Sequence, residues 1–370
     1  MNRKKALYQY EFMAMKWFLV AGLSCAFFAL LILNAEYRSC IPDVYGEMNV
    51  VFSDRNYISF SKILIDRLSF LVPAALAALA FMTIFQFSDY HNRNQREYIV
   101  SLPFTQRERF IAKYIVGAGI LTIVTAVFGA GVFVLRSMYF ELMIKYNLVY
   151  PEYPVIYGND TWFHTLRSLL LLWLVIMAAY SVFTLIHSVV TKGIMASLIS
   201  LGIIVAPVYL LYMSVFYTYS FFEEFSIFES YVDEHMWMYT TKQICAAFIG
   251  GGFYKTEFNT QADPVINYID YGNTGAVLLV LLLVLIGFAA GAYIINGRQD
   301  GAKFGMLMPI RWIRMVIGAG ASFCFAFPLA LFAAFCVGAD NDIIFVALMH
   351  VVICVALVVI IQKIKKRLNR

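Results

Sequence analysis

Apolar residues arrive in long, nearly unbroken runs. Eight stretches approach or exceed the roughly 20 residues a helix needs to cross a hydrocarbon core. They are 17–34, 68–88, 111–134, 165–190, 193–217, 274–296, 315–337 and 343–362. Only Thr191-Lys192 parts the fourth from the fifth, and only Gly338-Ala339-Asp340-Asn341-Asp342 parts the seventh from the eighth, so each pair reads as a tight hairpin. The pattern predicts an all-α fold, a polytopic transmembrane helix bundle of about eight spans. The longer connections are 35–67, 135–164 and 218–273. The second is expected to extend the third helix above the membrane. The third holds an apolar patch from Ile244 to Phe253, too short to span, that suits a re-entrant or interfacial helix.

Composition agrees with the pattern. The 370 residues are 62% hydrophobic and only 14% charged, whereas soluble domains are about half apolar and a quarter charged. The start, Met1-Asn2-Arg3-Lys4-Lys5, resembles the basic region of a signal peptide. The run behind it is long, and Leu33-Asn34-Ala35 is a poor cleavage site, so it is read as an uncleaved first span. Charge sets the orientation. With the N-terminus inside, 19 of the 28 Lys and Arg fall on inside segments and 18 of the 23 Asp and Glu on outside ones. That is a strong positive-inside bias, and it places both termini in the cytoplasm. Most of the six cysteines sit in apolar runs. Cys40 and Cys245 fall in outside loops, where a disulfide is one open alternative.

Several chemistries lack their residues. No Asp or Glu lies inside the eight stretches, although ion-coupled carriers generally need an acidic group near mid-membrane. His350 and His187 are the titratable candidates there. Neither has an acidic partner at helical spacing, so each is expected to hydrogen-bond to a neighbouring helix. The run Gly250-Gly251-Gly252-Phe253-Tyr254-Lys255-Thr256 is not a phosphate loop, because Tyr254 stands where a glycine must precede the lysine. No metal-ligand cluster, HExxH or GxSxG occurs, and no catalytic residue, metal or cofactor is assigned to this chain. Uphill work would draw its energy from a partner.

The inside loop 89–113 carries the most information. Arg93 and Arg96 lie at its start, and Tyr98 to Leu102 is a short apolar stretch. Pro103 stops any helix coming from the second span. Thr105 is then a good N-cap with Glu108 three residues on, the pattern of a capping box. A new helix is predicted from Gln106, with Arg107 and Arg109 exposed and Lys113 at the membrane edge. The result is a short charged elbow fixed to a transmembrane helix, suited to passing force from a soluble partner.

The order Glu97-Tyr98-Ile99, Ser101-Leu102-Pro103, Arg107, Lys113 between spans two and three resembles the ABC type-2 (type V fold) exporter permeases. The resemblance implies that Phe104, Thr105, Gln106, Arg107, Glu108, Arg109 and Phe110 form the coupling helix that docks on an ABC ATPase subunit. It implies two copies of that ATPase, which would bind the ATP and Mg, and a second permease copy or a homologous permease. It also implies that residues 1–16 form an amphipathic interfacial helix, with Tyr8, Phe12 and Met15 on one face and basic residues suited to membrane lipid headgroups. Residues 17–296 would be the six-span core, with the large outside loop 218–273. Residues 297–370 would add two spans and a basic tail, as in the eight-span YtrC-like and peptide or lantibiotic exporter branch of Gram-positive bacteria. The setting implied is a bacterial cytoplasmic membrane, with an amphipathic peptide, lipid-like compound or drug as cargo and no nucleic acid as partner. The alternatives are an ion-coupled carrier resting on His350 and a non-transporting envelope-stress or antibiotic sensor.

Small residues cluster in several spans. Gly287 and Gly291 form a GxxxG, and Gly117, Gly119, Gly129 and Gly131 line the third. They fit packing within one bundle as well as a dimer seam. Pro73, Pro207 and Pro328 fall inside spans two, five and seven. The acidic loop 218–273 fits either attraction of cationic peptides or simple avoidance of Lys and Arg outside.

Overall fold

A computed structural model describes residues 3–40, 57–58, 60–92, 104–149, 156–157, 161–222, 255–259, 266–270, 274–298, 311–337 and 343–368. Each apolar stretch forms the body of one long helix. These are α1 (Arg3–Cys40), α2 (Phe60–Gln86), α4 (Gln106–Val149), α5 (Trp162–Val189), α6 (Gly193–Phe222), α7 (Thr274–Arg298), α8 (Arg311–Val337) and α9 (Ile343–Leu368). A single turn, α3 (Ser88–His91), follows α2. Among the described residues, six helices are long and apolar enough to cross a membrane, and α2 and α9 carry shorter apolar segments, Phe70–Gln86 and Ile344–Val359. The chain is a multi-pass helical membrane protein.

Among the described residues, four short strands depart from the all-helical expectation. Strands β1 (Tyr57–Ile58) and β2 (Ile156–Tyr157) pair in parallel and join the segments that lead into α2 and α5. Strands β3 (Lys255–Asn259) and β4 (Ile266–Asp270) form an antiparallel hairpin inside the region expected to be loop. That region also begins later than expected, because α6 runs on to Phe222. The apolar patch 244–253, the Cys40–Cys245 question and Pro103 fall outside the described residues or side chains.

Helix α5 is the centre of the bundle. Its apolar window is 72% buried, against 11% for those of α1 and α7. It packs on α2, α4, α6 and α7, while α1 lies along α4. Helices α8 and α9 pack chiefly on each other and reach the rest through α6. The peripheral helices turn large apolar side chains outward, such as Phe28 of α1, Leu283 of α7 and Val351 of α9. In water that surface would be unfavourable. Against lipid it costs nothing, so packing rather than apolar burial must hold the helices together.

Helix α1 runs unbroken through the expected interfacial segment and the first span. Its 38 residues measure about 57 Å, well beyond a hydrocarbon core of about 30 Å. One face of its first part packs into the bundle. Leu7, Glu11 and Met15, spaced four apart, turn inward, while Phe12 is exposed with Tyr10, Met13 and Trp17. Likewise α4 extends to Val149, past the apolar stretch, as expected. Pro73, Pro207 and Pro328 lie inside α2, α6 and α8.

The glycines divide by environment. Gly117 sits where any side chain would strike the Tyr180 hydroxyl and the Gln86 amide, and Gly131 is covered by Leu30. Gly119 and Gly287 face open space. Gly117→Ala is therefore expected to destabilise the bundle by about 1–3 kcal/mol through overpacking. Gly119→Ala should be neutral or slightly stabilising, as for alanine in an open helix position. Thermal unfolding in detergent separates the two, and equal melting temperatures would contradict the close approach at Gly117.

Candidate functional site

The elbow begins with a reciprocal cap. The Thr105 amide donates to Glu108 Oε2 at 2.9 Å, and the Glu108 amide donates to Thr105 Oγ1 at 3.2 Å. The Thr105 hydroxyl donates to the same Glu108 oxygen at 3.1 Å. Two donors at the helix start are thus satisfied by side chains. The capping box expected from the sequence is formed, and it fixes the direction in which α4 starts.

Behind the cap the elbow has two faces. Thr105 and Arg107 are exposed, with Phe104, Gln106 and Glu108 partly so. Arg109 is buried, contrary to the expected exposure, and so is Phe110. Phe110 packs with Phe87 and Ala292, which ties the elbow to the end of α2 and to α7. The reason is helical phase. Residues 109, 110 and 113 share the side of α4 that faces the bundle, and an arginine there follows its neighbours inward. Of the seven residues assigned to coupling, 104–108 are thus at least partly exposed and 109 and 110 are buried. Arg107 crosses the C-terminal end of α7, its guanidinium 5.4 Å from the Tyr293 ring and against Gly297.

Lys113, one turn further on, is the focus of a buried charge junction. Its ammonium donates to Glu11 Oε2 at 3.1 Å and to the Gln86 carbonyl at 3.0 Å, and lies 3.3 Å from Asp89 Oδ2. The Gln86 amide returns a bond to the Lys113 carbonyl at 2.7 Å, and the Tyr180 hydroxyl donates to Gln86 Oε1 at 3.0 Å. Arg109 adds a second positive charge close enough to act on Glu11. One lysine thus links α1, the end of α2, α3 and α4, and through Gln86 it reaches α5. A charge so deep is tolerable only when paired and fully hydrogen-bonded.

Sequence reasoning missed this junction. Glu11 and Asp89 counted as flanking residues, outside the apolar stretches. A signal was present: Glu11 is the sole acidic residue before Glu36, and it continues the Leu7–Met15 stripe.

Two histidines lie beside the junction. His91 Nε2 and His187 Nδ1 are 2.9 Å apart, and His187 Nε2 is 3.1 Å from Ser197 Oγ. Ser197 gives its own proton to the Ala80 carbonyl, so it accepts from His187, and His91 must then donate to His187. A relay of hydrogen bonds runs from α3 through α5 to α6. His350 lies 3.0 Å from the Phe323 carbonyl. Both spanning histidines bond to neighbouring helices, as expected. Among the described residues, no group of three or more His, Cys, Asp or Glu is placed to hold a metal.

A third buried cation lies further along α4. Arg136 donates to the Thr161 carbonyl at 3.0 Å and to the Thr165 hydroxyl, and it covers the Trp162 ring at 4.9 Å. Lys113 and Arg136 are 23 residues apart on one helix, about 35 Å, close to the thickness of a hydrocarbon core.

No protein-family model matches the chain, and neither a curated protein nor a solved structure matches it.

Lys113→Met is expected to cost about 3–5 kcal/mol, because it strands two buried carboxylates. Adding Glu11→Gln and Asp89→Asn should recover most of that loss. Denaturation of both variants checks it, and a mild single-variant effect would contradict the junction. His91 offers a pH test. Burial holds its pKa below the ordinary 6.5, against the opposing pull of Thr191 and Asp89. The folded chain then binds fewer protons than the unfolded one. Its contribution to stability is full above about pH 6.5 and is lost as the pH falls through that value toward the lowered one. His91→Gln should flatten this slope in melting curves between pH 7.5 and 5.

Proposed function

We propose that this chain is the membrane-spanning permease of an ATP-binding-cassette exporter, driven by ATP that a separate subunit hydrolyses. The observation that carries the reading is the capped elbow. Thr105 and Glu108 close the start of α4, residues 104–108 are presented to a partner, and one turn behind them Lys113 ties the same helix to α1, α2 and α3. A push on the elbow would move the inner ends of several helices together. The positive-inside bias supports eight spans with both termini and the elbow in the cytoplasm. The setting is a bacterial cytoplasmic membrane, with two ATPase copies and a second permease completing the machine. The cargo is an amphipathic peptide, lipid-like compound or drug.

An ion-coupled carrier has weaker support. His350 is matched to a backbone carbonyl and packed against Phe323 and Phe327, as a packing residue would be. Glu11 and Asp89 are buried carboxylates, but both are paired with Lys113 at the end of the bundle rather than open at its middle.

Affinity purification from the native membrane should recover an ATPase subunit with this chain. Arg107→Ala with Glu108→Ala should leave the melting temperature within a few degrees and lower substrate-stimulated ATP hydrolysis at least about tenfold, the loss of roughly 1.4 kcal/mol of coupling. Hydrolysis coupled as in the parent chain would sink the elbow's role, and purification without any ATPase would sink the exporter reading.

A further inference from the structure

Helices α1 and α4 run side by side in the same direction. Lys113 bonds to Glu11, Val124 lies against Gly22, Leu30 covers Gly131 and Tyr139 donates to Asn34, so the two helices keep nearly one register along their shared length. Helix α1 is a single helix from Arg3, and Leu7 and Glu11 are buried, so its first turns stay with the bundle. The Glu11–Lys113 bond joins residues 102 positions apart. Carried back toward the start of α1, that register sets Lys4 and Lys5 level with Gln106 and Arg107 of the elbow. Packed helices lie about 8–10 Å axis to axis, so the two sets of side chains share one patch of surface.

The patch is basic and its charges are unmatched. Lys4 and Lys5 are exposed, and among the described residues neither has an ion-pair partner. Arg107 is exposed too, and it rests on the Tyr293 ring rather than on a carboxylate. The first ten residues contain no acid, and the one acid of the elbow, Glu108, is held in the Thr105 cap. The patch also stands clear of lipid. Lys16 is exposed with its ammonium 5.5 Å from the Trp17 ring, and these are residue types that mark a membrane surface. Lys5 lies eleven residues, about 16 Å, beyond Lys16 toward the start of the helix. A headgroup layer is about 5–8 Å deep on each side of the hydrocarbon, so Lys4 and Lys5 reach past it.

We infer that the start of α1 and the elbow form one basic docking surface, carried by Lys4, Lys5 and Arg107, for an acidic face of the subunit that the elbow engages. Cations gathered in water without acids of their own favour an anionic partner, and such complementarity sets the rate and specificity of association. Anionic headgroups share that charge, but the depth of the patch favours a protein. The inference rests on the exporter reading for the side of the membrane and for the partner's identity, and on the register of α1 and α4 for the surface itself.

Photo-crosslinking of the full chain in native membranes tests it. A photoreactive residue is placed at position 4 or 5, at position 106, and at the exposed Val20 as a control further along α1. Positions 4, 5 and 106 should capture the same protein, and position 20 should capture lipid. Lys4→Gln with Lys5→Gln should lower recovery of that protein roughly fivefold at low salt, and much less at high salt, where exposed charges are screened. Lys4→Arg with Lys5→Arg should leave recovery unchanged. Capture of lipid alone from positions 4 and 5, while 106 captures an ATPase subunit, would mean a headgroup anchor and overturn the inference with the exporter reading intact. Capture of one protein from all three positions that is not an ATPase would uphold the surface and remove the exporter reading. No protein captured from any of them would remove both.

Discussion

Everything at the elbow end of the bundle depends on one buried ammonium. Lys113 lies where water is scarce, so the chain must supply what water would have given. It does so from three directions, with carboxylates from α1 and α3 and a backbone carbonyl at the end of α2. Attraction between charges grows as the local dielectric falls, and so does the penalty for leaving one unmatched. The junction is therefore close to all-or-none. Where α1, α2, α3 and α4 meet, they hold one mutual arrangement because any other exposes a bare charge to an apolar interior. Gln86 extends this demand to α5 through its bonds to the Lys113 carbonyl and the Tyr180 hydroxyl. Gly117 is small because those two side chains pass directly over it.

A bundle in lipid cannot rely on water to drive its helices together. Close packing around α5 and a few polar clasps replace that force. The Lys113 junction is the clasp at one end and Arg136 with Thr161, Thr165 and Trp162 is the clasp at the other. Between them the contacts are mostly apolar, with two further hydrogen bonds between α4 and α5, Tyr114 to Ser181 and Trp173 to Thr122. The elbow starts on a reciprocal cap, its outer residues are at least partly exposed and its inner residues Arg109 and Phe110 are buried. Helices α8 and α9 stand apart, joined to the rest by α6, and contribute least to this frame.

The bundle was legible from hydropathy because a span leaves a long apolar run that no other structure needs. The Thr105–Glu108 cap was legible for a similar reason: it is a local rule, three residues wide, that tertiary contacts seldom override. The hairpin β3–β4 was not, since its residues alternate weakly within a long polar segment. Nor was the fate of Arg109, because helical phase relative to the bundle is set by which face the rest of α4 buries. The Lys113 junction was hidden most thoroughly. Its members are separated by up to 102 positions and each looks like an ordinary charge at a membrane edge. Only their convergence gives them a role, and convergence is a property of packing.

Site-specific photo-crosslinking tests the central claim most directly. A photoreactive residue placed in turn at positions 105 to 110 would be activated in native membranes and the adducts identified. Crosslinks to an ATPase subunit are expected from positions 105 to 108, and none from 109 and 110, which would instead mark α1, α2 or α7. Crosslinks to the ATPase from 109 and 110 as readily as from 106 and 107, or none from any position in the elbow, would contradict it.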